Sequence, residues 1–84
     1  MVNVSRDNAI SVKLFAGLAA ARGWRERQIA HVPGMTVAAV WHNQTGEPAI
    51  PQRVLCALNM DYCNADTVVE AGDEVGFFPP VTGG

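Results

Sequence analysis

The stretch that decides the fold is AGDEVGFFPPVTGG, Ala71 to Gly84. Ala71-Gly72-Asp73 is a turn signal, and Val75 to Phe78 reads as the strand that follows it. Successive side chains of a strand point to opposite faces. Val75 and Phe77 therefore share one face, and Phe78 takes the other. Pro79 ends the strand, because it has no N–H to give to a ladder. Pro79 and Pro80 each hold φ near about −65°, which keeps the remaining residues from folding back on the sheet edge and lowers the entropy lost when they dock. Those residues are Val81, Thr82, Gly83 and Gly84, which fully extended reach about 13 Å at ~3.3 Å each. Without a Cβ, Gly83 and Gly84 fit a narrow tunnel and accept φ values that other residues avoid. A Gly-Gly pair alone would mark nothing. A strand and a double proline directly before it make it read as a stiff exit and a slender chemical handle.

Working outward, Ile10, Val12 and Leu14 alternate with Ser11, Lys13 and Phe15, the period of two that predicts a strand. Phe15 then falls on the face opposite the aliphatic residues. Leu18 to Arg22 is a short run of helix formers stopped by Gly23, long enough for a turn or two before a second strand near Gln28 to Val32. Pro33-Gly34 signals a turn. Thr36 is a candidate N-cap, and Val37, Val40 and Trp41 fall at i, i+3 and i+4, one apolar helical stripe. Val54 to Leu58 has strand composition and length, and Asn59-Met60-Asp61 turns it back into Tyr62 to Asn64. The order strand, strand, helix, strand, short strand, strand predicts an α+β domain, one sheet with one main helix packed on a face. Trp41 belongs to the core; Trp24 belongs to the core or its rim.

The bulk numbers narrow the function. Eighty-four residues fit one domain, and a chain of this size buries only about 60–65% of its unfolded surface, little for an enclosed active site. The formal net charge of −2 lacks the basic footprint of a nucleic-acid binder. All six Lys and Arg lie between Arg6 and Arg53, whereas residues 54–84 carry five acids and no base. That acidic half suits a basic partner or a solvated face alike. Cys56 and Cys63 are too few for a disulfide framework, and Cys56 reads as a small buried hydrophobe. Their spacing matches no zinc pattern, and His31 and His42 do not complete one. No Ser–His–Asp set or P-loop can be assembled. The N-terminus lacks a signal-peptide core, and nothing approaches a membrane span; a reduced, cytoplasmic setting is expected.

The closing run Ala71 to Gly84 resembles the C-terminal signature of the MoaD/ThiS family, nearest to the MoaD type, the small subunit of molybdopterin synthase. Val12-Lys13-Leu14-Phe15-Ala16, Gly34 with Thr36-Val37, and Leu58-Asn59 with Tyr62 support the likeness, which runs from about Val12 to Gly84 and is weakest between Leu18 and Pro51. The family starts near Ser11, so residues 1–10 are expected to be a loose N-terminal extension, 11–80 the domain and 81–84 the tail. The family's acid-rich helix has only Val37 to His42 in its place.

The resemblance implies a β-grasp, ubiquitin-like fold with a mixed sheet. It also implies a non-catalytic sulfur carrier for molybdenum cofactor biosynthesis. In that scheme Gly84 supplies the working carboxylate. Adenylation with ATP, by a MoeB-like enzyme of the ubiquitin-activating type, makes a mixed anhydride that a sulfur nucleophile displaces. The sulfur comes from a cysteine desulfurase or a rhodanese-like donor, and the carrier keeps no bound cofactor. The thiocarboxylate, on the tail Pro79 to Gly84, then enters a MoaE-like large subunit and delivers sulfur to a cyclic pterin precursor. In such a fold the first and last strands are neighbours, so Phe15 and Phe78 form an aromatic docking patch beside the tail. Leaving a Phe in water forgoes roughly 1.5–3 kcal/mol, and two together point to a docking surface; covering loops are the alternative. Three other readings stay open: a carrier for thiamine or cysteine synthesis, a ubiquitin-like modifier joined to lysines, and an interaction module with an inert tail.

Overall fold

The structure, a computed structural model, describes residues 8–80. Five strands and two helices follow one another among them: β1 (Ala9–Leu14), α1 (Gly17–Arg22), β2 (Glu26–Ala30), α2 (Val37–Thr45), β3 (Leu55–Leu58), β4 (Asp61–Cys63) and β5 (Glu74–Phe78). The strands form one sheet in the order β2-β1-β5-β3-β4. Only the β1–β5 pairing is parallel; β1–β2, β3–β4 and β3–β5 are antiparallel. The sheet is therefore mixed, with the last strand at its centre.

One face of the sheet is dry. Ile10, Val12 and Leu14 of β1 and Val75 and Phe77 of β5 are buried there, against Val37, Val40 and Trp41 of α2. Trp41 meets Phe77 edge to face, ring centroids 4.9 Å apart, a geometry that adds roughly 0.5–1.5 kcal/mol to burial. The expected stripe on α2 is the one that packs. Thr36 caps it, its hydroxyl accepting from the Ala39 N–H at 3.2 Å, and Gly46 closes it with φ of 78°. An isolated bridge between Thr36 and Val68 ties the start of α2 to the chain leading into β5.

Several boundaries differ from those read in the sequence. The second strand spans Glu26–Ala30 rather than Gln28 to Val32, because pairing with β1 runs on to Lys13 opposite Glu26. Edge strands tolerate charge on that scale, so hydrophobic alternation underestimates them. Ala9, placed in the N-terminal extension, belongs to β1 and is buried, as is Ile10, which opens the alternating run although the domain was expected to start at residue 11. The short LAAAR run becomes α1, ended by Gly23 at φ 81°. Residues 1–7 and the tail, Val81 to Gly84, lie outside the described residues.

Candidate functional site

The face of the sheet opposite α2 carries the site. Its residues follow from the register: Ser11, Lys13 and then Phe15 along β1, Glu74, Gly76 and Phe78 along β5, Leu55 and Ala57 on β3, and Tyr62 on β4. Phe15 follows directly on β1, and its N–H donates to the Phe77 carbonyl at 3.1 Å. This extends the parallel pairing by one step and sets Phe15 beside Phe78. The two rings stack, centroids 4.4 Å apart and planes within 3°. Each is half-buried, and each ring covers one face of the other.

Gly76 explains how the stack is accommodated. A Cβ there would come within 3.1 Å of Phe15 Cε2 and 3.3 Å of Phe78 Cε1. The glycine is thus a notch in the sheet surface on which both ring edges rest. Beyond Phe15 the chain turns sharply: Ala16 takes φ 52° and ψ −131°, and the Leu18 N–H donates back to the Phe15 carbonyl at 3.2 Å. Positive φ at an alanine is strained, and it holds the direction in which Phe15 leaves β1.

The patch is wider than the two phenylalanines. Tyr62 approaches Phe78 edge on at 6.1 Å and is 72% exposed. Leu55, opposite Phe78 in the register, is also exposed. Phe15, Phe78, Tyr62 and Leu55 together make an apolar surface around the point where the chain leaves β5. Pro79 is half-buried at that exit and Pro80 is exposed; Val81, Thr82, Gly83 and Gly84, expected from the sequence to enter a partner, lie outside the described residues. At the far end of β5, Lys13 Nζ pairs with Glu74 at 3.0 Å. The hydrogen bond and charge of Glu74 raise the Lys13 pKa above its ordinary value.

Sequence reasoning named Phe15 and Phe78, and the structure brings them together. It missed Tyr62, Leu55 and Gly76 as parts of the same surface. The signal for Gly76 was present, since a glycine inside an apolar strand marks a close approach. Tyr62 and Leu55 needed the register of β3 with β4 and β5, which no local pattern contains.

Other groups have structural employment. Arg27 lies over the Trp24 ring at 4.2 Å, a cation–π contact. Arg22 pairs with Glu47 and holds that carboxyl below its ordinary range. His31 Nε2 bonds the Val69 carbonyl at 2.7 Å and His42 Nδ1 that of Glu47 at 2.9 Å. Among the described residues, no three His, Cys, Asp or Glu side chains gather as a metal site would require. No helix there is long and apolar enough to cross a membrane.

Solved structures share this architecture. SAMP1 from Haloferax volcanii is 25% identical, with a TM-score of 0.78, over 90% of this chain and 99% of that one. A Pyrococcus furiosus chain described as a putative molybdopterin converting factor, subunit 1, is 27% identical, with a TM-score of 0.72, over 88% of this chain and 99% of that one. Urm1 from Trypanosoma brucei shares the fold at 17% identity and a TM-score of 0.71, over 96% and 100%. No curated protein is similar enough to match. The mixed sheet with its crossing helix is the β-grasp, ubiquitin-like fold. The family model described as the ThiS family matches residues 12–84, nearly the whole domain and its tail, so this chain belongs to the ThiS family of ubiquitin-fold carriers and modifiers.

Proposed function

We propose that this protein is a sulfur carrier of the MoaD kind, the small subunit of a molybdopterin synthase, working through the carboxylate of Gly84. The observation that carries the reading is the continuity of apolar face and handle. The stacked Phe15 and Phe78, with Tyr62 and Leu55, surround the strand end from which Pro79, Pro80 and the Val81-Thr82-Gly83-Gly84 run depart. The face supplies non-specific grip, and the run supplies reach. The molybdopterin converting factor assignment of the Pyrococcus furiosus relative supports this pathway.

The chemistry asks little of the carrier's side chains. Carboxylate oxygens leave poorly, and AMP transfer from ATP on an activating enzyme turns one of them into part of a good leaving group. The outer sulfur of a persulfide-type donor, on a cysteine desulfurase or rhodanese-like protein, then attacks the acyl carbon and AMP departs, leaving an acyl disulfide. A second thiol attacks the donor's sulfur, forms a disulfide with it and releases the thiocarboxylate. The resulting thiocarboxylate enters the large synthase subunit and hands its sulfur to a pterin. The carrier itself is not an enzyme in this scheme; it needs a narrow end, a stiff root and a surface that different partners can hold in turn. Co-expression with its activating enzyme followed by intact mass spectrometry tests the proposal: one terminal oxygen should be replaced by sulfur. An unmodified mass beside a demonstrably active enzyme overturns it.

A second reading, a protein modifier joined to lysines through the same Gly84, is favoured by the likeness to SAMP1, a small archaeal modifier protein. Lysine-linked conjugates in cells, lost on deletion of Gly84, would select it over the carrier.

A further inference from the structure

Cys56 and Cys63 face each other across the β3–β4 ladder as direct partners in the register. Their sulfurs are 3.7 Å apart, the Cys63 thiol donating towards Cys56 Sγ. The Cys56 thiol in turn donates to the Cys63 carbonyl at 3.2 Å. Both lie on the α2 side of the sheet, since Cys56 is also paired with the buried Phe77. Their exposure differs. Cys56 is buried, whereas Cys63 is half-buried; both line an open hollow of about 410 Å³ together with Ile50, Pro51, Val54 and Leu55. Cys63 is the more accessible of the two thiols that share it.

The backbone is already placed for a bond between them. Opposed residues of an antiparallel ladder have Cα atoms about 4.5 or 5.5 Å apart, and a disulfide accepts about 4.4–6.8 Å. Only the two sulfurs need to close, by side-chain rotation. Two thiols alone do not make a tetrahedral metal centre, and no third ligand-type side chain stands with them among the described residues. The pair is therefore better arranged for a sulfur–sulfur bond than for an ion.

We infer that Cys56 and Cys63 are an oxidisable pair that closes an intramolecular, cross-strand disulfide in the presence of a peroxide-class oxidant. The Cys63 thiolate attacks one peroxide oxygen and the O–O bond breaks, leaving a sulfenic acid and releasing hydroxide. The Cys56 thiol then attacks the Cys63 sulfur, the S–O bond breaks and the hydroxyl leaves with the Cys56 proton as water; the proton that Cys63 gave up in forming its thiolate neutralises the hydroxide. Two thiols are oxidised by two electrons and one peroxide is reduced to two waters. Burial pushes the Cys56 thiol up to about 12, so it is the resolving partner and Cys63 the first to react. The product fastens edge strand β4, with the exposed Tyr62, to β3. This modification is independent of what the tail carries.

The test treats the full-length protein with hydrogen peroxide, unfolds it, alkylates it and weighs it. The expected product is a monomer lighter by two hydrogen atoms that takes up no alkyl group, and dithiothreitol restores uptake at both cysteines. Cys63→Ser, a change at the half-buried position that spares the core thiol, should lose the oxidised form entirely while Cys56 is still alkylated in full. The inference is overturned if treated wild-type protein keeps both alkylation sites, gains oxygen without losing hydrogen, or joins chain to chain.

Discussion

Gly76 shows how one missing methyl group can shape a surface. Without a Cβ the sheet has a shallow notch, and the Phe15 and Phe78 rings settle into it and onto each other. Replacing it with a β-branched residue sets the two effects against each other, since valine suits a strand while its side chain must push both rings outward. The core beneath is on the other face and is untouched. Gly76→Val should therefore leave the far-UV spectrum intact, shift the aromatic proton resonances of Phe15 and Phe78 towards free-ring positions, and weaken capture by the activating enzyme by about tenfold, equivalent to about 1.4 kcal/mol. Retained affinity with displaced rings would show that the stack is not what partners hold. Phe15 and Phe78 were legible in the sequence because strand parity alone assigns their face. Gly76 was harder to read, because its role depends on two rings that are distant in the chain.

At the scale of elements, the β3–β4 hairpin carries both a weakness and an anchor. Its two-residue turn places Asn59 at φ 51° and Met60 at φ 73°. Asparagine tolerates that region, and methionine does not. Asn-Gly is the favoured pair for such a turn, and the Met60 side chain is 73% exposed, with little packing to lose. Met60→Gly should raise the unfolding free energy by about 1 kcal/mol, read as a later denaturant midpoint. Asn59 is the anchor: its amide side chain donates to Asp73 at 2.9 Å and accepts from the Glu74 N–H at 2.9 Å, bolting the turn to the start of β5. The same hairpin gives the domain an alkaline limit. Burial, assisted by Cys63, raises the Cys56 thiol from an ordinary value of 9.0 to about 12. The folded state therefore keeps a proton that the unfolded chain gives up first. The stability tied to it is whole below about pH 9 and drains as the pH climbs towards 12. A denaturant midpoint that falls over that window in the reduced wild type, and falls less steeply in Cys56→Ala, is the expected result. The helix α2 and strand β1 were readable because each has a one-sided apolar pattern, and β3 and β5 because each is a short run of strand composition with a turn or proline beside it. The start of β2 was not readable, because Glu26 and Arg27 join the sheet by pairing with β1 rather than by burying themselves.

For the whole molecule, the division of labour lies between two faces and one end. One sheet face, closed by α2, supplies cohesion; in the proposed function the other supplies contact and the end supplies reactivity. The proposal locates the reacting atom at the terminus and gives the rest a holding role. One tryptophan appended after Gly84 should then abolish sulfur loading while leaving the unfolding midpoint and binding through the Phe15–Phe78 face unchanged. Loading at the normal rate would refute that division. The pathway was less legible than the fold, since the same fold is found in a chain named as a small archaeal modifier protein and in one named for molybdopterin conversion. A mechanical property follows from the strand order. The tail continues from β5, which is flanked by β1 and β3 on its two sides. A partner that tugs the tail along that axis loads both flanking ladders in shear, so their hydrogen bonds resist together instead of yielding one by one. A pull on the end of β5 is thus carried by two ladders rather than one.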